Sequence, residues 1–122
     1  MQKRLFKIQR AQLVYFNRAP TCYNDLGGVH QAFGNSQAAL ALYQQGLMIS
    51  ERLASRTPEN AEFARDLWII YNNLGEVQQA LGNSQAALAL YQQGLVIRER
   101  LAASAPENAD FALSLIISYA KL

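Results

Sequence analysis

Apolar side chains recur at Phe63, Leu67, Ile70, Tyr71, Leu74, Val77 and Leu81, the three-and-four spacing that lines one face of an α-helix. A second run, Ala87, Leu90, Tyr91, Gly94, Ile97 and Leu101, keeps the same period, with Leu88, Leu95 and Ala102 as a further stripe beside it. Two apolar stripes on one helix mean contacts on two sides, which a stacked array of helices requires. Between the runs lies Gly82-Asn83-Ser84. Glycine can take the left-handed conformation that ends a helix, and Asn83 or Ser84 can cap the next one. Pro58-Glu59-Asn60 marks a helix start, because proline suits a first turn and an acidic side chain complements the positive end of the helix dipole.

The same pattern returns 48 residues later. GNSQAALALYQQGL stands at 34–47 and again at 82–95, and Pro106-Glu107-Asn108 repeats the helix-start signal. Sliding the chain by 48 aligns residues 23–74 with 71–122 at 36 identities in 52 positions. The chain is an internal duplication. Its predicted fold class is all-α, an antiparallel helix-pair solenoid of about five to six helices. The first A helix is expected to end near Phe33, with further helices at about 36–55, 60–81, 84–103 and 108–121. Pro20 stands where Trp68 stands in the next copy. A mid-helix proline costs about 3 kcal/mol, so this first helix should be short and start near Pro20. Residues 1–22 read as a basic N-terminal helix or a degenerate half-repeat. The array covers 23–122, with repeat one at about 20–57, repeat two at about 58–105 and an unpaired terminal helix at 106–122.

Tyr71, Leu74, Gly75, Gly82, Ala87, Tyr91 and Gly94, matched by Tyr23, Leu26, Gly27, Gly34, Ala39, Tyr43 and Gly46, resemble the signature of the tetratricopeptide repeat. Gly75 and Ala87 would let two helices approach closely, with Tyr71 and Tyr91 filling the space beside them. The unit of 48 residues is longer than the family's usual length of about 34. It is similar to the long-repeat subgroup found in many bacterial proteins and, in related form, in kinesin light chains.

The resemblance implies a non-enzymatic protein–protein interaction scaffold that binds a peptide or partner helix in a concave groove lined by the A helices. It also implies that an asparagine before the Leu-Gly pair hydrogen-bonds the ligand backbone. That position is Asn73, with Asn72 beside it. The first copy offers Asn24 and Asp25, and the terminal helix offers Ala120 and Lys121. Gln31, Glu76 and Gln79 should face the same groove one turn on. An amide supplies both donor and acceptor, so it can hold a main chain without reading side chains. The paired basic clamp that some members use for a carboxylate tail is not reproduced, since only Lys121 is basic at such a place and Leu113 replaces Arg65 in the next copy.

Composition narrows the chemistry. Residues 1–18 carry Lys3, Arg4, Lys7, Arg10 and Arg18 and no acid, while the remainder holds six basic and nine acidic side chains. Only that first segment could attract a nucleic acid or an anionic membrane, and it reads better as a cap packed on the first repeat. One histidine, His30, and one cysteine, Cys22, exclude a catalytic histidine pair, a multi-histidine metal site within one chain and an intramolecular disulfide. His30 is expected to be polar and partly exposed, and Cys22 a small packing residue. Gly27-Gly28 lacks the Gly-Lys-Ser/Thr of a phosphate loop. No enzyme, cofactor or metal is therefore expected, and the cytoplasm is the default location.

The terminal helix suggests an alternative. Phe111, Leu115, Ile116, Ile117 and Tyr119 would leave an apolar face with no helix to cover it, at roughly 1.5–3 kcal/mol per side chain. That face fits a self-assembly module, giving a homo-oligomer, most simply a dimer.

Overall fold

The computed structural model describes residues 18–104 and 119–120. Among these, four helices are present and every regular element is helical. Residues 18–32 form α1, and α2 (Ser36–Arg56), α3 (Ala61–Ala80) and α4 (Ser84–Ser104) follow. Tyr119 and Ala120 are also helical. The helix ends agree with the periodicity to within about one residue. The count of five to six included segments before Arg18 and over 108–121, which lie outside the described residues apart from Tyr119 and Ala120. Helical backbone is already in place at Arg18 and Ala19, ahead of a fully buried Pro20.

Both tight turns are built alike. Gly34 and Gly82 have φ of 79° and 86°, a region where a side chain is strained. Around each, two backbone bonds close the helix end: Asn35 N–H to the His30 carbonyl at 2.8 Å and Gly34 N–H to Gln31 at 3.0 Å, repeated by Asn83 to Gln78 and Gly82 to Gln79. This double closure satisfies carbonyls that would otherwise lack partners. Asn35, the N-cap residue of α2, makes no side-chain cap bond, and Asn83 donates through Nδ2 to Gln78 Oε1 at 2.8 Å. Contrary to expectation, Pro58 does not open α3. Asn60 is the N-cap, its Oδ1 accepting from Phe63 N–H at 3.1 Å, with Glu62 supplying the negative charge in the first turn.

Packing repeats with the sequence. Tyr43 of α2 lies on Gly27 of α1, and Tyr91 of α4 lies on Gly75 of α3. Tyr23 and Tyr71 in turn rest against Gly46 and Gly94. The core joins Ala39 and Tyr43 of α2 to Ile70, Leu74 and Val77 of α3, with Leu40, Leu47, Leu81 and Leu90 against it. The α2–α3 junction is thus the hydrophobic centre of the described array, each buried aliphatic side chain stabilising by about 1.5–3 kcal/mol. Leu88, expected in a contact stripe, is exposed instead.

One stacked pair breaks the repeat. Arg98 is buried with its guanidinium 3.5 Å from the centroid of the Trp68 ring. Positions 48 residues earlier hold Ser50 and Pro20, both fully buried. The bulky stacked pair of repeat two replaces two small residues of repeat one.

Candidate interaction surface

The sequence-predicted groove residues come together where α1 and α3 run side by side. Asn73 donates through Nδ2 to Asn24 Oδ1 at 2.6 Å, and Gln31 Nε2 lies 3.5 Å from Glu76 Oε2. Tyr43 donates its hydroxyl hydrogen to Gln31 Oε1 at 2.8 Å, and Tyr91 does the same to Gln79 Oε1 at 3.2 Å. The tyrosines that fill the glycine gaps therefore also fix the amides of the A helices. Asn24, Gln31, Asn72, Asn73 and Glu76 are half-buried, whereas Asp25 and Gln79 are exposed. Asp25 aligns with Asn73 in sequence, but it is Asn24 that meets Asn73 across the repeats. Lys121 lies outside the described residues.

Glu76 is the electrostatic centre of this wall. Burial pushes the hydroxyls of Tyr43 and Tyr91 above the usual tyrosine range, and the negative charge of Glu76 adds to both shifts. The tyrosines consequently stay protonated and keep donating. This part of the wall holds amide donors and acceptors around the Glu76 carboxylate.

Sequence reasoning missed a cleft of about 510 Å³ at the N-terminal end of the same wall, lined by Arg18 and Thr21 of α1, by the N-cap Asn60 and by Glu62, Phe63, Arg65 and Asp66 of α3. Burial raises the Asp66 carboxyl above its ordinary value, the neighbouring Glu62 raises it further and Arg65 opposes them. The available signal was the change from Arg65-Asp66 to Leu113-Ser114 between copies. His30 is half-buried, in keeping with a polar, partly exposed position. Cys22 is exposed and does not pack in the core. Among the described residues no three His, Cys, Asp or Glu side chains gather to hold a metal, and no helix is long and apolar enough to cross a membrane.

Of the self-association set, Phe111, Leu115, Ile116 and Ile117 lie outside the described residues. Tyr119 donates to Glu99 Oε1 at 2.8 Å, just as Tyr71 donates to Glu51 Oε1 at 2.9 Å one repeat earlier. The two tyrosines differ in cover: Tyr71 is 8% exposed and Tyr119 54%.

Helix pairs that recur in sequence, pack by the same tyrosine-on-glycine contact and line up their A helices define a helical-repeat protein. A tetratricopeptide repeat family model matches residues 21–59 and 69–104, and the chain belongs to the tetratricopeptide repeat family. Repeats of this family generally mediate protein–protein interactions. No curated protein sequence matches the chain.

Proposed function

We propose that the chain is a non-enzymatic interaction scaffold of the long-repeat, kinesin-light-chain-like type. On this reading it holds a peptide or partner helix in a concave groove whose wall is α1 and α3. The observation that carries it is the Asn24–Asn73 bond at 2.6 Å, which aligns amides from two repeats on one surface. Each half-buried amide keeps capacity beyond that bond, so an extended main chain could be held by Asn24, Asn72 and Asn73, with Asp25, Gln31, Glu76, Gln79 and Lys121 along its path. The acidic Glu76 at the centre favours a ligand with a basic side chain there. The scaffold reading carries no cofactor, nucleic acid or membrane, and its setting is the cytoplasm.

The test is a random-peptide phage library panned on the intact chain, followed by the double variant Asn72→Ala/Asn73→Ala. Recovered peptides should share a basic position and lose binding to the double variant at unchanged helicity. Peptides that bind both proteins equally would overturn the groove.

A second reading has one observation in its favour. The exposure of Tyr119 supports a self-assembly module in which the terminal helix (Phe111, Leu115, Ile116, Ile117 and Tyr119) packs against another copy, as a homodimer. Polar replacement of Ile116 and Ile117 should then abolish assembly and leave peptide binding intact.

A further inference from the structure

The α1 helix carries an exposed apolar stripe at Cys22, Leu26, Val29 and Phe33, with Leu26 49% and Phe33 82% exposed. The spacing is that of one helix face. Moved forward 48 residues, these positions are Ile70, Leu74, Val77 and Leu81. Those are the side chains with which α3 packs on α2, three of them buried in the core and Leu81 against it. The protein therefore contains its own demonstration of what covers such a face: a helix presenting Leu40, Tyr43 and Leu47. The complementary half is present too. Leu88 of α4 stands at the position of Leu40, yet Leu40 is half-buried while Leu88 is 44% exposed.

We infer that copies of this chain stack head to tail, the α1 stripe of one copy docking on α4 of the next to recreate the α2–α3 junction. This surface is separate from the polar wall assigned to peptide binding. Leu26, Val29 and Phe33 take the places of Leu74, Val77 and Leu81, and Leu88 and Leu95 take those of Leu40 and Leu47. The incoming α1 brings Tyr23 to the place of Tyr71. It therefore competes with Tyr119 for Glu99. The contact is heterologous, using different surfaces on the two copies, so it propagates rather than closing as a two-fold dimer.

Leu26→Asp disables the leading face and Leu88→Asp the trailing one. Both side chains are exposed within one chain, so each variant should keep wild-type helicity by circular dichroism. Light scattering over a roughly hundred-fold concentration range should show the wild type rising above its 13.6 kDa chain mass. Each variant alone should stay at that mass. A mixture of the two should form a 1:1 pair of twice the mass and no larger species, because only one junction can form between them. Tyr119→Phe should shift the wild-type series to lower concentration. A wild type that stays monomeric throughout overturns the inference, as does assembly that survives Leu88→Asp, which would mean α1-to-α1 pairing. A mixture that forms no pair overturns it as well.

Discussion

The ring of Tyr91 lies so close over Gly75 that a Cβ added there would sit 2.5 Å from the ring carbon Cε1, and Tyr43 stands in the same relation to Gly27. Neither ring can retreat, since both are buried and their hydroxyls are tied to Gln79 and Gln31. Gly75→Ala should therefore cost about 1–3 kcal/mol by overpacking, despite alanine's better helix propensity. At Gly94 the nearest atoms would be 3.5 Å away, an ordinary contact. Gly94→Ala should be neutral or stabilising by up to about 1 kcal/mol. Paired thermal melts measure the difference in sign, and a Gly75→Ala melting point at or above wild type would refute the contact.

The Tyr71 hydroxyl is held at about 12 by burial first, then by its hydrogen bond to Glu51 and by that carboxylate's charge. Its value in the unfolded chain is 10.0. A folded-state pKa above the unfolded one means stability that is complete below pH 10 and declines as pH rises towards 12. Denaturant midpoints should fall across that window, and Tyr71→Phe should flatten the decline. Equal slopes in wild type and variant would contradict the assignment.

Trp68 is the single tryptophan, so intrinsic fluorescence reports one place: the ring beneath Arg98. Burial lowers the Arg98 guanidinium from 12.5 to about 10. Its depressed value means that the folded state disfavours the charged form, a penalty present at neutral pH and relieved as pH rises through about 10. Replacing Arg98 by methionine removes the cation over the ring, so Arg98→Met should shift tryptophan emission at neutral pH. Because methionine keeps much of the volume without the buried charge, that variant should also lie within about 1.5 kcal/mol of wild type. An emission spectrum unchanged by Arg98→Met would contradict the stacked pair.

Removing the cap of α3 tests the corrected helix start. Asn60→Ala leaves the Phe63 amide without its side-chain acceptor and should cost about 1 kcal/mol, while Pro58→Ala should change stability by less. The two melting temperatures rank the positions.

The periodicity located α2, α3 and α4 to within a residue or so because strong apolar spacing and positive-φ glycines act locally. It also placed Asn24, Gln31, Asn73 and Glu76 on one surface, since an exact repeat carries each A-helix position to an adjacent copy. Which residues then touch was not legible. Asn24 rather than Asp25 meets Asn73 because neighbouring helices meet with a stagger, and stagger depends on how side chains interlock between elements. Arg98 lay hidden for a different reason: its charge argues for solvent, whereas the structure buries it with its guanidinium stacked over the Trp68 ring. The exposure of Cys22 reflects what lies beside α1, which spacing within one helix cannot report.

A chain that writes the same fourteen-residue segment twice risks mistaking one copy for the other while it folds, α3 settling on the wrong neighbour or two chains exchanging halves. The Trp68–Arg98 pair acts against that confusion. Arg98 finds an aromatic ring only when α4 closes on α3, and a mispaired α4 on α1 would bring the guanidinium to Pro20 instead. The divergent pair thus works as an address label, making two nearly interchangeable helices distinguishable to the folding chain.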